Sequence, residues 1–140
     1  MRILFICHGN ICRSPMAEYI MKELVKREGV AGDWEIESAA VSREEIGTPV
    51  YPPARRKLLE QGIPCGQHAA RQMTRADYDR FDLLIGMDRS NLRTMQRICG
   101  GDPDGKRVKF RSAGYCFARK KTRRACRSQE WWEHRGLEIA

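Results

Sequence analysis

Eight residues near the amino terminus, Cys7-His8-Gly9-Asn10-Ile11-Cys12-Arg13-Ser14, set a nucleophile, a flexible turn and a cation at a spacing that suits phosphate chemistry. Curled around an oxyanion, this loop points the backbone N–H groups between His8 and Cys12 inward, and a helix start behind it adds partial positive charge. The planar fork of Arg13 can grip two oxygens of the same anion. Cys7 lies at the base of that ring, where the field that binds phosphate also favours a thiolate, and Ser14 can hydrogen-bond the sulfur. A thiolate beneath a phosphate monoester is a nucleophile aimed at phosphorus. The expected chemistry is therefore phosphoryl transfer to Cys7, which needs no metal and no cofactor. Cys12 flanks the same ring, so a reversible Cys7–Cys12 disulfide that shields the nucleophile is a further expectation.

Such a loop needs rigid elements on both sides. Ile3-Leu4-Phe5-Ile6 reads as a short buried strand, and Pro15 opens a helical pattern to Glu28, with Ser14 as its cap and Gly29 as its stop. Trp34–Val41 reads as a second strand parallel to the first, and Ser42–Pro53 as a loop broken by Thr48-Pro49 and Pro52-Pro53. A helix from Pro53 to Gln61 presents Arg55, Arg56 and Lys57, read here as a solvated face. Thr74-Arg75-Ala76-Asp77 starts a short helix in the manner of a capping box. Asp82–Met87 is nearly all apolar, hence a central buried strand, after which Asp88 caps a helix from Arg89 to Ile98. Val108–Phe110 is a weak last strand. The alternation of strands and helices predicts an α/β fold: one doubly wound domain with a mostly parallel four-stranded sheet, helices on both faces and a flavodoxin-like strand order. In such sheets ligands sit at the carboxyl ends of the strands, where Cys7–Ser14 falls.

The length of 140 residues suits a single domain over 1–140. No apolar run could cross a membrane and no signal-peptide pattern opens the chain, so a cytoplasmic location is expected, with no membrane partner. The six cysteines are then reduced, and no Cys/His spacing suits zinc. The net charge of +8 is uneven, +2 over residues 1–100 and +6 over residues 101–140. Residues 106–140 form an atypical basic segment. A solvated tail outweighs a nucleic-acid partner as the reading of that segment.

The run from Ile3 to Glu18 resembles the signature of the low-molecular-weight protein tyrosine phosphatase family. Ile36-Glu37-Ser38-Ala39, His68-Ala69-Ala70-Arg71 and Asp82–Leu92 extend the similarity over residues 1 to about 106. The resemblance implies a phosphatase acting on phosphotyrosine proteins or small phosphate monoesters and inhibited by phosphate or vanadate. Cys7 and Arg13 would be catalytic, and His8, Gly9, Asn10, Ile11, Cys12 and Ser14 would form the phosphate-binding loop. Ser38 would hold Asn10 in a strained turn, and His68 would support the loop from behind. The family's general acid lies in an Asp-Pro followed by aromatics, a motif this chain does not have. Its only Asp-Pro, Asp102-Pro103, reads as a turn, so Asp102 is a weak candidate for the acid. A phosphate-binding module without turnover and an arsenate reductase of the same fold stay open as alternatives.

Overall fold

The computed structural model describes residues 1–109, and the expectations for Phe110, Cys116, Cys126 and the basic segment beyond Lys109 lie outside them. Strand β1 (Arg2–Cys7) leads into helix α1 (Arg13–Arg27). A single 3₁₀ turn precedes β2 (Glu35–Ala40), and α2 (Pro52–Glu60) and α3 (Arg75–Arg80) follow. Then come β3 (Leu83–Gly86), α4 (Arg89–Cys99) and β4 (Arg107–Lys109). The strands lie in the order β2-β1-β3-β4 and all pairings are parallel, as the alternation of elements predicted.

β1 explains the two-sided architecture. Its side chains alternate between the faces of the sheet, yet every one from Ile3 to Cys7 is buried. Ile3 and Phe5 pack with Ala17, Met21 and Val25 of α1 and Ile36 of β2. Leu4 and Ile6 pack on the opposite face with Met73, Tyr78, Phe81, Leu84, Met95 and Cys99, beneath α3 and α4. Burial of a side chain such as Leu4 or Ile6 contributes about 1.5–3 kcal/mol, so this strand is an anchor of the fold. A third cluster, Ile20, Leu24, Leu58 and Ile63, joins α2 to the outer side of α1.

β1 pairs with β2 on one side and β3 on the other, so the chain reverses its direction of winding at β1. The crevice opened there, beyond the carboxyl ends of β1 and β3, is flanked by the 8–12 connection and by Asp88.

One expectation needs correcting. Helix α1 starts at Arg13, not Pro15, and Cys12 occupies the cap position without a side-chain cap hydrogen bond. Ser14 is inside the first turn and fully buried, so its hydroxyl faces the loop instead of closing the helix. α1 stops as expected, at Glu28 followed by Gly29 with φ +71°. Asp88 caps α4, accepting from the Asn91 N–H at 2.7 Å while Asn91 Oδ1 accepts from the Asp88 N–H.

Candidate active site

Asn10 is the pivot of the loop. It has φ +59°, the one left-handed non-glycine among the described residues, and it is fully buried. A left-handed L-residue costs roughly 1–2 kcal/mol, less for asparagine. Five hydrogen bonds outweigh that cost at about 1 kcal/mol each. The Asn10 N–H donates to Cys7 Sγ at 3.2 Å, and Nδ2 donates to Ser14 Oγ at 2.8 Å and Ser38 Oγ at 2.9 Å. Oδ1 accepts from the Arg71 N–H at 3.2 Å. The Asn10 carbonyl sits 2.7 Å from His68 Nε2, and since a carbonyl only accepts, that nitrogen carries the proton.

The direction of the serine hydrogen bonds towards Asn10 follows from its amide. Both of its amide protons are committed, so the Ser14 and Ser38 oxygens are acceptors towards it and their own protons are free to point elsewhere. Ser38 donates to the carboxylate of Glu18 at 2.5 Å. Ser14 has Cys7 Sγ at 3.0 Å and the Ala39 carbonyl at 3.4 Å, and the closer contact is the sulfur. The buried Cys7 sulfur accepts from the Asn10 N–H and lies in hydrogen-bond contact with the Ser14 hydroxyl, which can donate to it or accept from its thiol.

The rim of the loop is held from outside. Arg13 Nη1 donates to Asp88 Oδ2 at 2.9 Å. Burial alone would raise the Asp88 carboxyl, but the Asn91 N–H, the Arg13 guanidinium and the Ser90 N–H outweigh it and hold the group below its usual range. The N–H groups of Gly9, Ile11 and Cys12 donate to no acceptor among the described residues. The Ile11 carbonyl accepts from the Tyr51 N–H at 2.7 Å, which fixes the 42–51 loop as a wall. Burial, followed by the neighbouring Cys7, pushes the Cys12 thiol up, against the pull of Arg13.

The structure thus brings Cys7, Asn10, Ser14, Ser38 and His68 into one hydrogen-bonded cluster, with Arg13 at its edge. The imidazole of His8 instead turns outward to Glu44 at 3.0 Å. Asp102 is engaged elsewhere: its carboxylate accepts from the Tyr78 hydroxyl at 2.8 Å and the Lys106 N–H at 2.9 Å, closing the 102–106 turn.

Two contributors were not singled out by sequence reading. Glu18 looks like an ordinary polar residue of α1, yet it is buried and takes both Ser38 and Lys22. Its only signal is its place one helical turn after Ser14, on the side that faces β2. Arg71, whose N–H meets Asn10, is itself fixed by Asp77 at 2.9 Å and Glu37 at 3.2 Å. These carboxylates come from α3 and β2, so the pairing is not visible in the order of residues.

A family model described as low molecular weight phosphotyrosine protein phosphatase matches residues 2–112. The protein of that name from Rattus norvegicus is 46% identical over 95 residues, which cover 68% of this chain and 60% of the relative. The matched stretch thus spans under two thirds of that relative's length. Among solved structures, the crystal structure of YfkJ from Bacillus subtilis superposes with a TM-score of 0.75 at 34% identity, covering 78% of this chain and 69% of that one. A low molecular weight protein tyrosine phosphatase from Streptococcus pyogenes gives a TM-score of 0.73 at 34% identity, covering 82% and 75%.

Proposed function

We infer the activity of this chain from its family: it belongs to the low molecular weight phosphotyrosine protein phosphatase family, and we propose that it is a cysteine-dependent phosphatase acting on protein phosphotyrosine. The observation that carries this reading is the pair of hydrogen-bonding groups at Cys7 Sγ, the Asn10 N–H at 3.2 Å and the Ser14 hydroxyl at 3.0 Å. Together they hold the sulfur at the base of the loop, where attack on phosphorus would start.

In the proposed reaction Cys7 Sγ forms a bond to phosphorus as the bond to the tyrosine oxygen breaks. The loop N–H groups and Arg13 stabilise the equatorial oxygens, where charge is spread in the transition state. Water then displaces the sulfur, releasing phosphate and restoring the thiolate. Ile11 offers an apolar side chain at the loop, which suits an aromatic leaving group. Gly9, Ile11 and Cys12 contribute free N–H groups, His8 contributes backbone alone, and Ser38 and His68 hold Asn10. Phosphate and vanadate are expected inhibitors. The four described cysteines are unpaired, which fits a reducing cytoplasm. No helix among the described residues is long and apolar enough to cross a membrane.

Asp102, tied into its turn, is not the proton donor in this reading. A donor typically contributes 10²–10⁴-fold, and most where the leaving group is a poor one. Hydrolysis of p-nitrophenyl phosphate, whose leaving group departs readily, should therefore outpace that of phosphotyrosine peptides. The commitment of Asp102 also favours one second reading, a phosphate-binding module without turnover. One experiment separates the two: p-nitrophenyl phosphate hydrolysis by wild type and Cys7→Ser, with vanadate binding measured in parallel. Turnover lost in Cys7→Ser supports the phosphatase. Vanadate binding without wild-type turnover would sink it in favour of the binding module.

A further inference from the structure

A groove of about 420 Å³ lies beside the loop, lined by Pro49, Val50, Arg55, Cys65, Gly66, Gln67 and His68. It is built from three segments that are tied to each other and to the loop. The Gly47 N–H donates to the Ala70 carbonyl and the Ala70 N–H to the Thr48 carbonyl, locking the 47–50 and 65–70 segments together. The first of these reaches the loop through the Tyr51 N–H on the Ile11 carbonyl, and the second through His68 on the Asn10 carbonyl. Helix α2 supplies Arg55, whose own N–H donates to the Tyr51 carbonyl. Two walls of the groove are thus fastened to residues 10 and 11.

The lining has a definite chemistry. Val50 is buried and, with Pro49, gives an apolar floor. Gln67 offers an amide at the wall. Arg55 is exposed, and among the described residues its guanidinium has neither a carboxylate partner nor a hydrogen bond. Its charge is nonetheless felt in the groove, where it counters the burial that pushes the Cys65 thiol up. Of the neighbouring cations, Lys57 is paired with Glu60 at 3.4 Å and Lys22 with Glu18, while Arg56, exposed like Arg55, does not line the groove. A volume in the range of small-ligand sites, with an apolar floor and one free guanidinium, fits a short apolar stem carrying a carboxylate.

We propose that this groove receives an acidic side chain of the substrate polypeptide, close in sequence to the phosphotyrosine, with Arg55 as its ion-pair partner. This rests on the phosphotyrosine reading above and narrows its substrate class to acidic-flanked sites. An extended peptide advances about 3.5 Å per residue, so a side chain within three positions of the phosphotyrosine can span from the loop to its flank. The effect is expected on binding and kcat/KM, since Arg55 is remote from the bonds that change.

The test walks a single glutamate through the three positions on either side of phosphotyrosine in an otherwise glutamine-flanked peptide. kcat/KM is measured for wild type, Arg55→Ala and Arg55→Glu, with p-nitrophenyl phosphate as the substrate too small to reach the groove. The same peptides are titrated by calorimetry onto Cys7→Ser. At one position glutamate should raise kcat/KM and tighten binding by about threefold to fivefold, the scale of an exposed ion pair. Arg55→Ala should erase the preference, Arg55→Glu should turn it towards lysine, and high salt should flatten it. Rates on p-nitrophenyl phosphate should stay within about twofold of wild type, because Arg55 makes no contact with the loop sulfur or its donors. A preference that persists in Arg55→Glu, or none at any position in wild type, overturns the groove assignment. Selective binding to Cys7→Ser with no wild-type turnover would keep the groove and remove the phosphatase activity. Neither binding nor turnover would overturn both.

Discussion

Arg13 and Asp88 are joined by a hydrogen-bonded ion pair of 2.9 Å that links the first turn of α1 to the carboxyl end of β3. The contact spans the crevice in which the loop sits. Asp88 has a second duty, since its other oxygen accepts from Asn91 and starts α4. The two duties separate by substitution. Asp88→Ala removes both and should cost about 1 kcal/mol of stability through the lost cap. Asp88→Asn keeps an acceptor for the Asn91 N–H and should melt closer to wild type, yet it loses the charge that holds Arg13. Both variants should show reduced kcat/KM on p-nitrophenyl phosphate. Full activity in Asp88→Asn would mean that Arg13 is oriented by something else.

Acid should destabilise the fold through the same carboxylate. Burial pushes Asp88 and Asp82 up, but hydrogen bonds and the positive charges of Arg13 and Arg2 outweigh it, so both sit below the ordinary 3.8 in the folded chain. A carboxyl lowered by folding adds stability above its unfolded value, and that stability is lost as pH falls through the folded one. Urea midpoints should therefore hold from neutral pH to about 4 and then decline. Asp88→Asn should decline less steeply than wild type over that lower range. Parallel profiles would show that Asp88 is not among the groups responsible.

Asn10 combines a conformational and a chemical requirement, and two substitutions take them apart. Asn10→Gly keeps the left-handed backbone but loses the side-chain bonds to Ser14, Ser38 and Arg71. Asn10→Ala loses those bonds and adds strain at φ +59°. Both should be destabilised, and alanine more so by about 1 kcal/mol, as read from thermal or urea melts. If the two are equally stable, the backbone at residue 10 has relaxed out of its turn.

Gly86, at the end of β3, leaves only a tight space for a side chain. A Cβ there would lie 3.1 Å from Leu92 Cδ2 and 3.1 Å from Met95 Sδ, and both belong to the helix that Asp88 starts. Gly86→Ala should cost about 1–3 kcal/mol as α4 is pushed from the sheet. A wild-type melting temperature would show that Leu92 and Met95 shift at no cost. In the Leu92→Ala background the penalty should shrink.

Much of the fold was legible in local patterns. The buried run of β1, the stop at Gly29, the Asp88 cap and the apolar β3 all declare themselves in neighbouring residues, because periodicity and end signals are properties of adjacent positions. The start of α1 was misplaced by two residues for an instructive reason. Ser14-Pro15 carries a good cap signal, yet the hydroxyl is drawn into the turn by Asn10 and Cys7, contacts made only once the loop closes.

By itself the sequence determined the doubly wound sheet and the place of the loop proposed to hold nucleophile and cation, since the spacing of Cys7, Gly9, Asn10 and Arg13 and the alternation of strand and helix are written along the chain. Only the tertiary structure decided how that loop is held. The partners of Asn10 are Ser38, His68 and Arg71, and those of Arg13 and Ser38 are Asp88 and Glu18. These pairs are twenty to seventy-five residues apart, and they meet because the crossovers of a parallel sheet bring the carboxyl ends of successive strands to one edge. Hydrogen-bond direction at Ser38, too, was settled only there: its hydroxyl accepts from Asn10 and donates to Glu18.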